Sequence, residues 1–325
     1  MSKCLSALVV GCGRIGGGIV GDVRLDEPSH AAAYARHQGF RIAACIEPDP
    51  LHRTAFMAKW NVANGFANLD EAMAGGIHFD VASICTPTPQ HAADLRTLAS
   101  SNVRAVWCEK PLTAAAAESA EIVEAYQRVG KSLAVNYLRR WQPSMVDLKS
   151  RIADGEWGQV RAGAGFYTKG IRNNGGHLID LVQWLLGPLE PKQAIISRID
   201  HDPSDPNVDA ILQLSNGAPI HLVAGDARDY AIFELEIIAA RGALRIERSG
   251  RSIRTRRTTD DPDAEGYRIL ENGQFAMVAT NDAFLNAADN IYHAIIDGAP
   301  LASDGATALA AERVCDALIE RATCS

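Results

Sequence analysis

Two groups of residues in this sequence have the types and spacing needed to exchange protons with a substrate. The first is Glu109-Lys110-Pro111, which directly follows an apolar run. A lysine beside a carbonyl oxygen stabilises developing negative charge or relays a proton; taken alone, Lys110 reads equally as a surface lysine after a strand. The second group is Asn173-Asn174-Gly175-Gly176-His177-Leu178-Ile179-Asp180. His177, Asp180 or Leu181, and Trp184 recur at helical spacing and share one face. His177 therefore heads a helix, where it is either a general base or a satisfied structural histidine. The paired glycines before it point to close backbone packing or to the approach of a ligand. Arg139, Arg140, Lys169 and Arg172 flank these groups on a chain whose net charge is -7. A substrate carrying phosphate or carboxylate would explain that cluster, and so would ion pairs at a domain interface.

A third feature stands near the start. The apolar run Leu5–Val10 meets Gly11-Cys12-Gly13-Arg14-Ile15-Gly16 with nothing between them. In a dinucleotide site the first glycine makes a tight turn and the second lets the backbone approach the pyrophosphate. The third lets the following helix pack close, and that helix N-terminus receives the phosphate charge. The alternative is a glycine turn with no ligand. Phe40–Ile46 reads as the second strand and ends in Glu47. A carboxylate there accepts hydrogen bonds from ribose hydroxyls and repels a 2′-phosphate, which favours NAD over NADP. Glu47 lies 31 residues after Gly16, against a usual spacing of about 20. Asp22–Pro28 reads as an inserted loop that takes up the excess, with Ser29 capping a helix over 30–38 and Gly39 closing it.

The elements that must hold these residues follow from the pattern. Helices are expected over 50–59, 70–74 and 90–100, and a further one, capped by Thr113, ends before Gly130. Strands are expected at Val81–Cys85, Val103–Cys108 and Ser132–Tyr137. Strands separated by helices give a parallel sheet covered on both faces, and ligands of such sheets lie beyond the carboxyl ends of the strands. Gly11–Gly16, Glu47, Thr86-Pro87, Glu109-Lys110-Pro111 and Asn136-Tyr137 all fall at those ends. From Leu138 the pattern changes. One helix over 176–186 precedes strand-like segments at 192–200, 208–215, 219–226, 231–239, 243–248 and 252–258, punctuated by Asn216-Gly217, Arg241-Gly242 and Ser249-Gly250. These read as an antiparallel sheet, closed by helices over 282–297 and 306–322. About three helices cannot cover six strands on both sides, so one sheet face is expected to pack against another subunit. Arg245–Arg257 alternates like an edge or open face, a solvated or subunit-contacting surface.

Composition narrows the class. A sequence pI of about 5.7 gives no electrostatic support for nucleic acid or membrane surfaces. Seven cysteines, an odd number with no C-x-x-C pair, fit reduced thiols better than a disulfide framework. No His/Cys/Asp group has metal-ligand spacing, and no apolar run reaches transmembrane length. With a first strand beginning near residue 5 and no signal peptide ahead of it, a cytoplasmic enzyme is expected.

Taken together, Gly11-x-Gly13-x-x-Gly16, Thr86-Pro87-x-x-x-His91, Glu109-Lys110-Pro111 and the helix bearing His177 and Asp180 resemble the Gfo/Idh/MocA oxidoreductases over nearly the whole chain. The resemblance implies an α/β fold, with a dinucleotide-binding Rossmann domain over 1–137. It implies a substrate-binding and oligomerisation α+β domain over 138–325, built on a large, mostly antiparallel open sheet. It also implies bound NAD, NADP less so, and oxidation or reduction of a ring hydroxyl or ketone of a sugar, a sugar derivative such as a nucleotide-sugar, or a cyclitol. By the same match Lys110 is the catalytic lysine, His177 the acid/base group, and the Lys110-Pro111 bond cis. Gly11, Gly13, Arg14, Ile15, Gly16, Glu47, Thr86, Pro87, His91, Glu109, Lys110 and Asn136 are the cofactor contacts. Lys110, Arg139, Tyr167, Lys169, Arg172, Asn173 and His177 are the expected substrate contacts, in a homodimer or homotetramer. One position departs from the pattern: many members carry Asp four residues before the histidine, where this chain has Asn173. Asparagine holds a hydroxyl but carries no charge to raise a histidine pKa. A non-catalytic NAD-binding sugar sensor of the same fold is the alternative reading.

Overall fold

The computed structural model describes residues 4–18, 28–278 and 282–324. They form two compact units, 4–141 with 282–309 and 142–278 with 310–324. The first is built on β1 (Leu5–Val10), every residue of which is buried. Around it lie β2 (Phe40–Ile46), β3 (Asn64–Phe66), β4 (Val81–Ile84), β5 (Ala105–Cys108) and β6 (Ser132–Val135). All pair in parallel in the order β3-β2-β1-β4-β5-β6. The order reverses between β1 and β4, and that is where such sheets open a crevice for ligands.

Five helices make the crossovers: α1 (His30–Arg36), α2 (Pro50–Trp60), α3 (Leu69–Ala74), α4 (Thr88–Ala99) and α5 (Ala116–Arg128). Their caps follow local chemistry. The Ser29 hydroxyl accepts the Ala32 N–H at 3.2 Å, and Asp49 accepts from Leu51 at 2.7 Å ahead of Pro50 in the first turn. The sequence reading makes Thr113 the cap of α5, and the structure does not. Ala115 stands at that position without a side-chain bond, and the Thr113 hydroxyl instead meets the hydroxyl of Ser119, within α5, at 2.8 Å.

The second unit begins with α6 (Pro143–Ala153) and β7 (Val160–Tyr167), continues through a π-helical turn at Gly170–Gly175, and enters α7 (Gly176–Leu186). Eight strands follow: β8 (Leu189–Asp202), β9 (Asp205–Leu214), β10 (Pro219–Ala224), β11 (Phe233–Ala239), β12 (Gly242–Glu247), β13 (Ser252–Asp260), β14 (Arg268–Leu270) and β15 (Gln274–Met277). The nine-stranded sheet runs β14-β13-β12-β11-β7-β10-β9-β8, with β15 beside β13. It is antiparallel except where β7 lies parallel to β10. The sequence pattern does not reveal β7, because Ala162-Gly163-Ala164-Gly165 lacks the branched residues that mark strands. Those glycines answer tertiary crowding. A Cβ on Gly163 would stand 2.8 Å from Ile220 Cδ1, and one on Gly165 would stand 2.5 Å from Leu178 Cδ2. Helix α7 therefore seats on β7 through Leu178, the residue after His177. The arginines of 245–257 form pairs within this sheet, Arg245 with Glu234 at 3.0 Å and Arg254 with Glu247 at 3.5 Å.

The chain then returns to the first unit through α8 (Ala283–Asp297) and closes with α9 (Gly305–Thr323). Phe284, Ala288, Ile291 and Tyr292 of α8 share one core with Tyr34, Phe40 and Trp107.

Tyr167 at the end of β7 is fully buried. Its hydroxyl donates to the Val208 carbonyl at 2.7 Å and accepts the Val208 N–H at 2.8 Å. Tyr167→Phe should destabilise the second unit by roughly 1–3 kcal/mol, since two buried backbone groups lose their partner. Urea unfolding checks this; unchanged stability with lost turnover would restore Tyr167 as a substrate contact.

Candidate active site

The glycine turn is shaped by the protein's own backbone at two of its three glycines. Gly11 has φ +92°, and a Cβ there would meet the Cys85 carbonyl carbon and oxygen at 2.8 Å; one on Gly16 would stand 2.1 Å from the Gly11 oxygen. A Cβ on Gly13 would meet nothing within 4 Å among the described residues. The first and third glycines are thus internally required, while the second opens on space where a pyrophosphate would approach. The Gly11 N–H donates to the Ile46 carbonyl at 2.9 Å, and the Cys12 N–H donates to Glu47 Oε2 at 3.0 Å. The acidic residue at the end of β2 therefore clamps the turn as well as standing where a ribose would lie. Arg14 is exposed in the middle of the turn, and Ile15 packs half-buried against the core.

Among the described residues no continuous helix follows Gly16, contrary to the simplest form of the motif. The described chain makes one turn through Gly17, and the expected loop at 22–28 lies outside the described residues except for Pro28. The chain comes back onto that turn: His30 N–H donates to the Ile15 carbonyl at 3.1 Å, and Ala31 N–H to the Gly16 carbonyl at 3.2 Å. Each bond joins residues fifteen apart where an α-helix joins residues four apart, so eleven residues are inserted within one helical path. By helix count Glu47 then stands twenty residues after Gly16, the spacing of an acidic ribose partner.

The loops after β4, β5 and β6 are tied to one another. Thr86 donates its hydroxyl to Asp94 at 2.9 Å. His91 was expected to touch the cofactor, but both its ring nitrogens face backbone carbonyls, Thr86 and Pro111, at 2.8 Å. It is a buried clamp between the loop after β4 and the one carrying Lys110. The Lys110-Pro111 bond is cis. Glu109 Oε1 lies 3.0 Å from His30 Nε2 and accepts the Asn136 amide; the Asn136 oxygen accepts the Trp107 indole N–H at 3.2 Å. Burial pushes the Glu109 carboxyl up, but His30, Asn136 and the neighbouring Lys110 charge outweigh it and hold the group below the usual carboxylate range. His30 was not singled out from sequence. A signal existed: with the insertion removed, His30 stands one helical turn after Gly16, on the same face.

In the second unit the expected residues fall on one continuous segment. Lys169 has φ +69°, and its N–H donates to Asp200 Oδ2 at 3.3 Å. The π-helical turn is then built by β9. Asn207 Oδ1 accepts the Gly170 N–H at 2.8 Å, and Asp205 accepts the Arg172 and Asn173 N–H groups at 2.8 and 2.9 Å. Gly170 has φ +83°, and a Cβ there would stand 2.1 Å from Asp205 Oδ2. Burial pushes the Asp205 carboxyl up, against the pull of the Arg172 and Asn173 N–H groups. This turn holds Asn173 and delivers the chain to half-buried His177 in the first turn of α7. Two expected substrate contacts are spent elsewhere: Tyr167 on Val208, and Arg172 on Asp316, which it meets at 2.8 Å. Arg139 sits half-buried in the 3₁₀ turn Leu138–Trp141, beside Arg140, which donates to the Ala302 carbonyl at 3.2 Å.

Residues 5–137 match the model of the Gfo/Idh/MocA oxidoreductase family's NAD-binding Rossmann fold, and residues 156–324 match that of its C-terminal alpha/beta domain. The chain belongs to the Gfo/Idh/MocA oxidoreductase family. Among curated relatives, it is 25% identical over 334 residues to the inositol 2-dehydrogenase of Rhizobium meliloti, covering 96% of each chain. Solved structures share the fold. A levoglucosan dehydrogenase in complex with NADH and levoglucosan superposes with TM-score 0.83 at 17% identity, over 99% of this chain and 98% of that one. The WlbA dehydrogenase of Bordetella pertussis, in complex with NADH and UDP-GlcNAcA, gives 0.78 at 19% identity, over 99% and 97%.

The glycine geometry makes a paired test. Gly16→Ala forces backbone against backbone and should abolish NADH binding, whereas Gly13→Ala meets no protein atom and should weaken binding only by crowding the ligand. Fluorescence titration with NADH, alongside thermal melting of each variant, checks the contrast; a Gly13→Ala variant that melts as early as Gly16→Ala would refute it.

Proposed function

We propose that this NAD-dependent oxidoreductase acts on a ring CH–OH group of a cyclitol or sugar, with Lys110 and His177 as its acid/base residues. The observation that carries the reading is the gathering of Gly11–Gly16, Glu47, Glu109 and Lys110 at the carboxyl ends of β1, β2 and β5. Similarity to an inositol dehydrogenase along almost the whole chain supports it. NAD, when bound, supplies the hydride acceptor. Glu47 takes the ribose hydroxyls with the lone pairs that Cys12 and Asp49 leave available, and its charge repels a 2′-phosphate. Lys110 polarises the reacting oxygen, and His177 takes the hydroxyl proton. Asn173, lacking a carboxylate, holds a substrate hydroxyl by hydrogen bonding. Of the cations considered for an anionic substrate, Arg140 and Arg172 are engaged by protein groups.

A screen of cyclitols, sugars and nucleotide-sugars, followed at the NADH absorbance band, tests the activity. On the substrate found, Lys110→Ala and His177→Ala should each lower turnover roughly 10²–10⁴-fold while binding NADH as the wild type does. No turnover with any substrate, together with tight sugar-dependent NADH binding, would favour the sensor reading.

We also propose that the protein works as a cytoplasmic homo-oligomer. No helix among the described residues is long and apolar enough to cross a membrane, and all seven cysteines are unbridged. On β7, β9, β10 and β11 alternate residues are buried, and the intervening face leaves Val223 and Ile238 exposed beside half-buried Phe166 and Ile211. A second copy packed on this face would remove it from water. Light scattering at micromolar concentration should give a dimer or tetramer, and Ile238→Glu should shift it toward monomer; a wild-type monomer would refute the assignment.

A further inference from the structure

Behind Glu109 a chain of polar side chains runs into the core of the first unit. Tyr34 OH lies 2.8 Å from Ser83 Oγ, Ser83 Oγ lies 3.0 Å from His30 Nδ1, and His30 Nε2 lies 3.0 Å from Glu109 Oε1. Tyr34, Ser83 and His30 are completely buried. One direction of donation satisfies them all: Tyr34 O–H to Ser83, Ser83 O–H to His30, and His30 N–H to the carboxylate. Each group polarises the next toward Glu109. The His30 ring is fixed by packing as well, 3.9 Å from Trp107 and 5.6 Å from Phe284, centroid to centroid.

The other end of the chain is as specific. His30 and the Asn136 amide both take Oε1 of Glu109, and no bond from the described residues falls on Oε2. The Glu109 side chain keeps 15% of its surface exposed, next to Lys110 at the carboxyl end of β5. We propose that His30 is a positioning residue: with Asn136 it pins Oε1, so that Glu109 presents Oε2, charged, to the bound cofactor. The proposal rests on the reading of Glu109 and Lys110 as cofactor-side residues. The groups facing this carboxylate are His30 from α1, Asn136 after β6, Lys110 beside it and the Cys85 thiol after β4. Of these, His30 opposes burial most strongly, followed by Asn136 and then Lys110. Without His30, burial would raise the carboxyl pKa.

The test is NADH affinity as a function of pH, measured by fluorescence on the full-length protein without substrate. In the wild type Glu109 stays ionised across pH 8 to about 5.5, well above an ordinary carboxylate pKa of about 4.3, and affinity is flat. In His30→Leu the carboxyl takes up its proton at higher pH than in the wild type. NADH binding should then weaken roughly tenfold at the acid end while staying close to wild type at pH 8. His30→Gln, whose amide can donate to Oε1, should recover part of the flat profile. Ser83→Ala, which opens little space, should show a smaller shift in the same direction and covers the case in which His30→Leu folds poorly. Glu109→Gln should remove the pH dependence, and adding His30→Leu to it should cost no further affinity. Equal pH profiles in wild type, Ser83→Ala and His30→Leu, or additive losses in the double variant, would overturn the positioning role. A wild type that does not bind NADH at all would remove the cofactor reading and this proposal with it.

Discussion

At Gly16 the backbone comes so near the Gly11 carbonyl that a Cβ would sit 2.1 Å from its oxygen. That single approach fixes the exit of the chain from β1, the direction of the turn after it and the line on which α1 resumes. It also holds open the space beside Gly13. Around it the N–H groups of Gly11 and Cys12 are taken by the Ile46 carbonyl and the Glu47 carboxylate, so β2 is registered on the turn by the same residues that would face a ribose. The eleven inserted residues leave this arrangement intact because the hydrogen-bond ladder is rejoined on both sides of them, at Ile15–His30 and Gly16–Ala31. The entropic cost of closing such a loop grows only slowly with its length.

Once α1 is on that line, His30 points into the sheet's carboxyl edge and a buried polar chain becomes workable. Buried hydroxyl and imidazole groups are costly unless every donor finds an acceptor. Here they end on a carboxylate that is itself partly exposed. Charge is kept at the edge of the sheet beside Lys110, rather than in the core, and the aromatic wall of Trp107 and Phe284 keeps water from the link between them.

The second unit solves a comparable problem with different means. The helix carrying His177 sits close to a sheet, and β7 allows this by being thin where α7 crosses it, at Gly165 beneath Leu178. The turn leading into that helix is not self-supporting. Its N–H groups at 170, 172 and 173 are taken by Asn207 and Asp205 from β9, so the position of Asn173 is set by a strand that follows it by some thirty residues.

Much of this was legible in local pattern. β2, α7 and the alternation of the first unit depend on periodicity and caps, which are properties of short stretches, and the loops at the carboxyl ends of the strands follow from that alternation. The motif glycines, Glu47 and the Glu109-Lys110-Pro111 run were likewise visible, because the chemistry they serve requires those types at those places. What the sequence alone left undecided depends on residues far apart in the chain. The glycine-rich β7 carries no strand signal of its own and becomes one only with Ile220 and Leu178 packed against it. His91 reads as a ligand contact until Thr86 and Pro111 are seen to occupy both its nitrogens, and Tyr167 until Val208 takes its hydroxyl. His30 is only a helix-opening residue until Glu109, seventy-nine positions later, is brought to its ring. Local pattern determines most of the elements, β7 excepted, since each of those is settled within one or two turns of chain; which polar atoms remain for a ligand is decided only by tertiary packing, because a distant residue can occupy them first.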